Sequence, residues 1–137
     1  MAKLIALDYG AKRTGIAVTD ELQIIASGLC TVETSKLIDF LDEYVLKNKV
    51  ESLVLGYPTR LDGTDTHNTK PVEALAEKLT KRYPSIAVHL EDEQFTSKMA
   101  RESMLQMGMK KKNRQKKEIL DEISAVFILR NFMERNN

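Results

Sequence analysis

Residues 4–20 read LIALDYGAKRTGIAVTD, and this stretch decides the fold. The apolar run that ends at Leu7 predicts a buried strand that delivers a carboxylate, Asp8, to a turn. Residues 15–19 predict a second strand that closes a hairpin on the first. The loop between them carries Lys12 and Arg13 beside the acid, a combination suited to holding a phosphate near a hard metal ion. An ordinary hairpin in which Asp8 only begins a turn explains these residues equally well.

The composition predicts one compact domain over residues 1–137. Hydrophobic residues make up 42% of the chain and charged residues 30%, with no long apolar run and no signal-peptide pattern. We therefore expect no membrane span and a cytoplasmic location. The single cysteine, Cys30, has no internal partner for a disulfide, and its apolar neighbours favour an inert strand position.

The rest of the chain alternates between helical and strand patterns, interrupted by turn-forming residues. These patterns predict a strand over 22–32 with a bulge near residues 27–28, a helix from residue 34 or 35, a parallel strand over 50–56, a loop over 57–69, a helix ending at residues 83–84, a strand over 86–90, a helix from 95–96 to 108, and a last helix over 115–135.

Acidic residues occur at three positions where a metal site is plausible on physical grounds. Asp8 follows the first strand, residues 91–93 (EDE) follow the last strand, and Asp121 shares a helical face with apolar residues. The carboxyl ends of parallel strands meet at one edge of an open sheet, so these acids are expected to converge. Two divalent cations would relieve their repulsion and clamp a phosphodiester. Taken singly, each acid is better explained by a turn, a helix start or a surface ion pair.

Several separated motifs resemble the YqgF family of bacterial RNase H-like nucleases, whose members are described as pre-16S rRNA nucleases and earlier as Holliday junction resolvases. The resemblance rests on the order of elements and on ALDYGAKRTGIAVTD, GYPTRLDGT, LEDEQFTS and LDEISAVFIL, and it covers essentially the whole chain. It implies an α/β, RNase H-like fold with a central five-stranded mixed sheet flanked by helices.

The resemblance also implies a site with two ions, Mg²⁺ or Mn²⁺, in which Asp8, Glu93 and Asp121 are both metal ligands and catalytic residues. One position departs from the family pattern, since the Arg of its Asp-Glu-Arg motif is Gln94 here. A neutral amide would weaken any contact that the Arg makes with phosphate, while the three carboxylates remain.

Basic residues near the expected active edge are candidates for contacts with the nucleic-acid backbone. Six of the eight residues from 110 to 117 are Lys or Arg, which predicts long-range attraction to a polyanion and binding that weakens with salt. A solvated loop that only keeps the protein soluble is the alternative for that segment. The candidate phosphate contacts are Lys12, Arg13, Arg60, Lys110, Lys111, Lys112 and Arg114.

We therefore expect a nuclease that processes the 5′ end of pre-16S rRNA, with ribosomal particles as partners. A resolvase acting on four-way DNA is the alternative within the same chemistry. Two rivals come from other classes: an ATP-binding module, because an Asp-x-Gly hairpin also opens the actin and sugar-kinase superfamily, and a nucleic-acid-binding protein with a degenerate site. His67 and His89 lack a second histidine at ligand spacing and are not expected to bind metal.

Overall fold

The fold is a mixed β-sheet with helices on both faces. The computed structural model describes residues 2–57, 69–92 and 113–135. The strands are β1 (Lys3–Tyr9), β2 (Arg13–Thr19), β3 (Ala26–Glu33), β4 (Val50–Tyr57) and β5 (Ala87–Asp92), and the helices are α1 (Leu37–Lys47), α2 (Thr69–Arg82) and α3 (Asn113–Arg135).

The described strands form one five-stranded sheet in the order β3-β2-β1-β4-β5. Strands β1, β2 and β3 make an antiparallel meander, whereas β4 pairs with β1 and β5 pairs with β4 in parallel. Helix α1 connects β3 to β4, as a parallel pairing of β4 with β1 requires. The predicted five-stranded mixed sheet is confirmed.

Alternation along β1 divides the core into two layers. Ile5 and Leu7 pack with α1 and α2 on one face, while Leu4 and Ala6 pack with α3 on the other. Successive residues of a strand point to opposite faces, so Asp8 belongs to the same face as Leu4 and Ala6. The carboxylate of Asp8 therefore lies on the face of the sheet that packs against α3.

The predicted boundaries of several elements differ from those of the structure by one to four residues. The third strand begins at Ala26, not at residue 22, because the side chain of Asp20 accepts hydrogen bonds from backbone N–H groups of residues 22, 24 and 25 and holds them in a turn. The last helix begins at Asn113, two residues earlier than predicted. The predicted bulge is confirmed, since the register between β2 and β3 shifts opposite Gly28.

The predicted loop lies outside the described residues over 58–68, as does the predicted helix from 95–96 to 108. Within the described part of the chain, no helix is long and apolar enough to cross a membrane. Cys30 lies half-buried in β3, and burial raises the pKa of its thiol, which fits the predicted inert position.

Candidate active site

Asp8 lies at the carboxyl end of β1, opposite Gly15 of the neighbouring strand β2. Its carboxylate accepts a hydrogen bond from the side chain of Ser124 on α3. Ser124 is itself buried, and it lies three residues after Asp121, so the two side chains share one side of the helix. The end of β1 and one face of α3 therefore form a common site.

Gly15 allows α3 to approach the sheet closely at this point. A Cβ atom on Gly15 would lie 2.1 Å from the carbonyl oxygen of Asp121 and 2.9 Å from its Cβ. Any side chain at position 15 would push the helix away, because real Cβ contacts are not that short. Glycine within a strand weakens the strand but permits such an approach. The absence of a side chain thus places Asp121 beside the residue that pairs with Asp8.

Arg13 forms an ion pair with Asp121 across the same interface. Its Nε donates a hydrogen bond to Oδ2 of the carboxylate at 3.0 Å, and the two side chains are 35% and 22% exposed. Among the described residues, Asp121 alone accepts a hydrogen bond from this guanidinium. Arg13, predicted to hold phosphate, is in addition an anchor for Asp121.

Thr34 fixes the turn that carries these cations. Its hydroxyl donates to the carbonyl of Gly10 at 2.6 Å and lies 3.0 Å from the hydroxyl of Thr14. Its backbone N–H donates to the carbonyl of Lys12 at 3.0 Å. Lys12 is exposed in the turn, while Arg13 begins β2. The turn is therefore a defined structure that presents one cation to solvent and one to the site.

The electrostatics of the site raise the pKa of Asp8 from 3.8 to about 7. Burial is the largest cause, the negative charge of Asp121 adds to it, and the hydrogen bond from Ser124 opposes both. Two carboxylates so placed favour either a shared proton or a bound cation. Strongly perturbed acids of this kind are concentrated at functional sites.

The donor set of Asp8 and Asp121 fits a hard divalent cation, since carboxylate oxygens are the ligands that Mg²⁺ and Mn²⁺ take and their like charges repel when no cation lies between them. Within residues 2–57, 69–92 and 113–135, no group of three Asp, Glu, His or Cys side chains is close enough to hold a metal ion. The expected third ligand, Glu93, lies outside that part of the chain, as does Gln94.

Of the other predicted basic contacts, Arg60, Lys110, Lys111 and Lys112 lie outside the described residues, and Arg114 lies in the first turn of α3. Glu91, from the predicted acidic cluster, is buried and forms an ion pair with Arg135 at 2.6 Å. His89 packs against the ring of Phe132 with a centroid separation of 4.9 Å.

Sequence reasoning missed three residues that shape the site: Gly15, Ser124 and Thr34. Gly15 carried a usable signal, because a glycine inside a strand often marks a close backbone approach. Ser124 lay three residues from a predicted acid on the same helix face. Thr34 carried no signal of a role in the site, because the pattern around it predicts only the start of a helix.

A family model and individual proteins both match this chain over nearly its whole length. The model of the family described as "RuvX: Holliday junction resolvase" matches residues 2–135. A protein of Bacteroides thetaiotaomicron, named "Putative pre-16S rRNA nuclease", is 46% identical over 134 residues, covering 98% of this chain and 97% of that protein. A protein of Christiangramia forsetii with the same name is 47% identical over 133 residues, covering 97% of this chain and 98% of that protein.

Among solved structures, T. thermophilus RuvC in complex with a Holliday junction substrate superposes with a TM-score of 0.53. The two chains are 14% identical, and the match covers 98% of this chain and 96% of that one. At this identity the likeness shows the fold alone, and it agrees with the RNase H-like fold expected from the motifs.

Proposed function

We propose, since this chain belongs to the RuvX family, that it is a nuclease that hydrolyses phosphodiester bonds of nucleic acid. The observation that carries the proposal is the convergence of Asp8 and Asp121 at the carboxyl end of β1. Ligand sites of open α/β sheets lie at that edge. Relatives that match nearly the full length of the chain carry a nuclease name, which supports the same chemistry.

For the biological substrate we propose pre-16S rRNA, because the relatives at 46% and 47% identity are named for it, and we propose its 5′ end as the place of cleavage. On this proposal the protein works in the cytoplasm with ribosomal particles as partners. A second candidate is a four-way DNA junction, which is favoured by the description of the family model. Both substrates require the same cleavage of a phosphodiester.

Asp8 and Asp121 would hold Mg²⁺ or Mn²⁺, with Glu93 as the proposed third ligand and two ions as the proposed number. A bound cation of this kind supplies a more acidic water and neutralises charge on the reacting phosphate. The protein supplies the geometry: Ser124 orients the carboxylate of Asp8 by a hydrogen bond, and Arg13 orients that of Asp121.

Arg13 and Lys12 would bind the phosphate backbone at the mouth of the site. Arg13 uses Nε for Asp121 and keeps two amino groups for phosphate oxygens, so one side chain links the carboxylate to the substrate. The segment 110–117 would add attraction that is independent of sequence and sensitive to salt.

The test is cleavage of an end-labelled RNA carrying a 16S rRNA 5′ leader, beside single-stranded DNA and a four-way junction, in Mg²⁺, Mn²⁺ or EDTA. Asp8→Asn removes the proposed ligand, and Glu51→Gln removes an exposed carboxylate at the start of β4 as a control. We expect metal-dependent RNA cleavage that is lost in Asp8→Asn and retained in Glu51→Gln. Cleavage of the four-way junction alone would mean that branched DNA, and not rRNA, is the substrate.

Two results would contradict the nuclease proposal. Salt-sensitive binding without turnover on any substrate would support a nucleic-acid-binding protein with a degenerate site. Tight ATP binding, with hydrolysis independent of nucleic acid, would support an ATP-binding module instead. Full activity of Asp8→Asn would leave a nuclease but remove Asp8 from its site.

A further inference from the structure

The turn between β2 and β3 is organised by one carboxylate. Asp20 accepts hydrogen bonds from the backbone N–H groups of Leu22 at 3.2 Å, Ile24 at 2.9 Å and Ile25 at 2.8 Å. The backbone N–H of Gln23 donates to the carbonyl of Asp20 at 3.0 Å, and Gln23 adopts a positive φ of 57°. Such local side-chain bonds hold a turn in one conformation.

This ordered turn displays large apolar side chains to solvent. Leu22, Ile24 and Ile25 are 57%, 66% and 64% exposed. Single exposed apolar residues are ordinary, but three within four positions on a rigid turn form a contiguous patch. Because the turn is already ordered, a partner that covers it pays little conformational entropy.

A groove of about 460 Å³ lies beside the patch, between the turn and the last turns of α3. Ile24 and Ile25 line one wall, and Val126 and Met133 line the other. An apolar projection and a groove lined by both apolar and charged side chains therefore lie next to each other. We call the turn and this groove together the turn–helix surface.

Two opposite charges flank the groove on α3. Arg130 and Glu134 are both exposed and line it, one helical turn apart. Arg130 lies over the ring of Phe127 at 5.9 Å. Within the described ranges, neither Arg130 nor Glu134 forms an ion pair with another residue. The rim therefore carries one positive and one negative charge.

We propose that the turn–helix surface binds a second copy of this chain about a two-fold axis. A two-fold interface uses the same patch on both subunits, so the patch must complement itself. Here the turn of each copy would cover the groove of the other. Antiparallel α3 helices would place Arg130 opposite Glu134 of the partner subunit, and the reverse pair would form by symmetry. A nucleic-acid occupant is disfavoured by the exposed apolar side chains of the turn and by Glu134 at the rim.

The location leaves the candidate active site open. The turn follows the Thr19–Ala26 pair of the sheet, whereas Asp8 pairs with Gly15, four residues back along β2. At the rise of a strand this separates the two regions by about 13 Å. Self-association on the turn–helix surface is therefore independent of the proposed nuclease activity, and its test needs no substrate.

The experiment is sedimentation velocity of the full chain from about 1 µM to about 500 µM, a range that covers dissociation constants of weak and moderate dimers. We expect a monomer–dimer equilibrium. Arg130→Glu and Glu134→Arg should each raise the dissociation constant about tenfold by placing like charges opposite each other, and the double exchange should restore most of the wild-type value. Rescue by the double exchange requires the two charges to face each other across the interface.

Two further variants separate this surface from general stickiness. Leu22→Asp places a charge on the exposed turn and should abolish the dimer, with an unchanged circular dichroism spectrum. Leu46→Asp changes a leucine on α1 that is 85% exposed and should leave the dimer intact. A monomer at every concentration would overturn the proposal. So would a dimer that survives Leu22→Asp, or one in which the double exchange is no tighter than the single variants.

Discussion

Replacing Asp8 by Asn should stabilise the protein in the absence of metal. The change keeps the shape of the side chain and an oxygen that can accept the hydrogen bond from Ser124. It removes the negative charge that burial and Asp121 disfavour. The same substitution is expected to abolish cleavage, so stability and activity should move in opposite directions.

The size of the effect follows from the pKa of Asp8, which is about 7 in the folded protein against 3.8 as the ordinary value. A carboxyl group whose pKa is raised by folding destabilises the native state once the pH exceeds the unfolded value, and the full penalty is present above the folded value. At pH 8 the difference corresponds to about 4 kcal/mol of unfolding free energy. Near pH 4 it shrinks to about 0.5 kcal/mol, because Asp8 is then protonated in the folded protein and only about half ionised in the unfolded chain.

The assay is urea unfolding followed by circular dichroism at pH 4, 6 and 8 in EDTA. Asp8→Asn should be more stable than the wild type by an amount that grows with pH, and Glu51→Gln should differ from the wild type by less than about 0.5 kcal/mol throughout. Added Mg²⁺ should narrow the gap by stabilising the wild type alone. The reasoning fails if Asp8→Asn is no more stable at pH 8, or if its advantage is the same at pH 4.

Three other substitutions test the structure around the site. Gly15→Ala would place a Cβ 2.1 Å from a carbonyl oxygen of α3, so it should lower the unfolding free energy by roughly 3 kcal/mol and reduce cleavage. Gly28→Ala is the control, because its Cβ would meet side-chain atoms of Glu122 and Val126, the nearest at 3.2 Å, and it should be tolerated in the same urea titration. Arg13→Gln should weaken RNA binding, measured by fluorescence anisotropy, and make that binding less dependent on salt. Lys47→Gln breaks an exposed ion pair within a helix and should leave the affinity for RNA and its salt dependence unchanged. Thr19→Val removes the buried acceptor of a β1 backbone N–H at 2.9 Å and should cost about 1–3 kcal/mol by thermal or urea unfolding.

Local patterns along the chain were sufficient to predict the sheet. The hairpin around Asp8 follows from two short apolar runs separated by a glycine-containing turn, and the parallel strand β4 follows from an apolar run after a helix. The strand predicted from residue 22 failed because apolar Ile24 and Ile25 resemble a strand, while the turn depends on hydrogen bonds to Asp20. Hydrogen bonds from one carboxylate to the backbone of the five residues after it leave no periodic pattern in the sequence, so hydrophobic periodicity does not reveal such a turn.

The site was less predictable than the sheet, because it depends on where α3 docks. Helical spacing placed Asp121 on an apolar face, but only the close approach at Gly15 brings that face over β2. The role of Arg13 changed for the same reason: sequence indicated a free cation in a loop, whereas the docked helix supplies it with a carboxylate at 3.0 Å. Contacts between elements distant in sequence decide such roles.

The charges of Asp8, Asp121 and Arg13 would also explain why an arginine and a divalent cation act together in the proposed site. With both carboxylates ionised, Asp8, Asp121 and Arg13 together carry one net negative charge, and Arg13 pairs with only one of the two acids. A phosphodiester entering beside them adds a second negative charge, which the site cannot hold without compensation. A divalent cation held by Asp8 and Asp121 would bring this total to neutrality. Losing Arg13 would leave one negative charge uncompensated whenever substrate is present, so its removal should impair substrate binding more than metal binding.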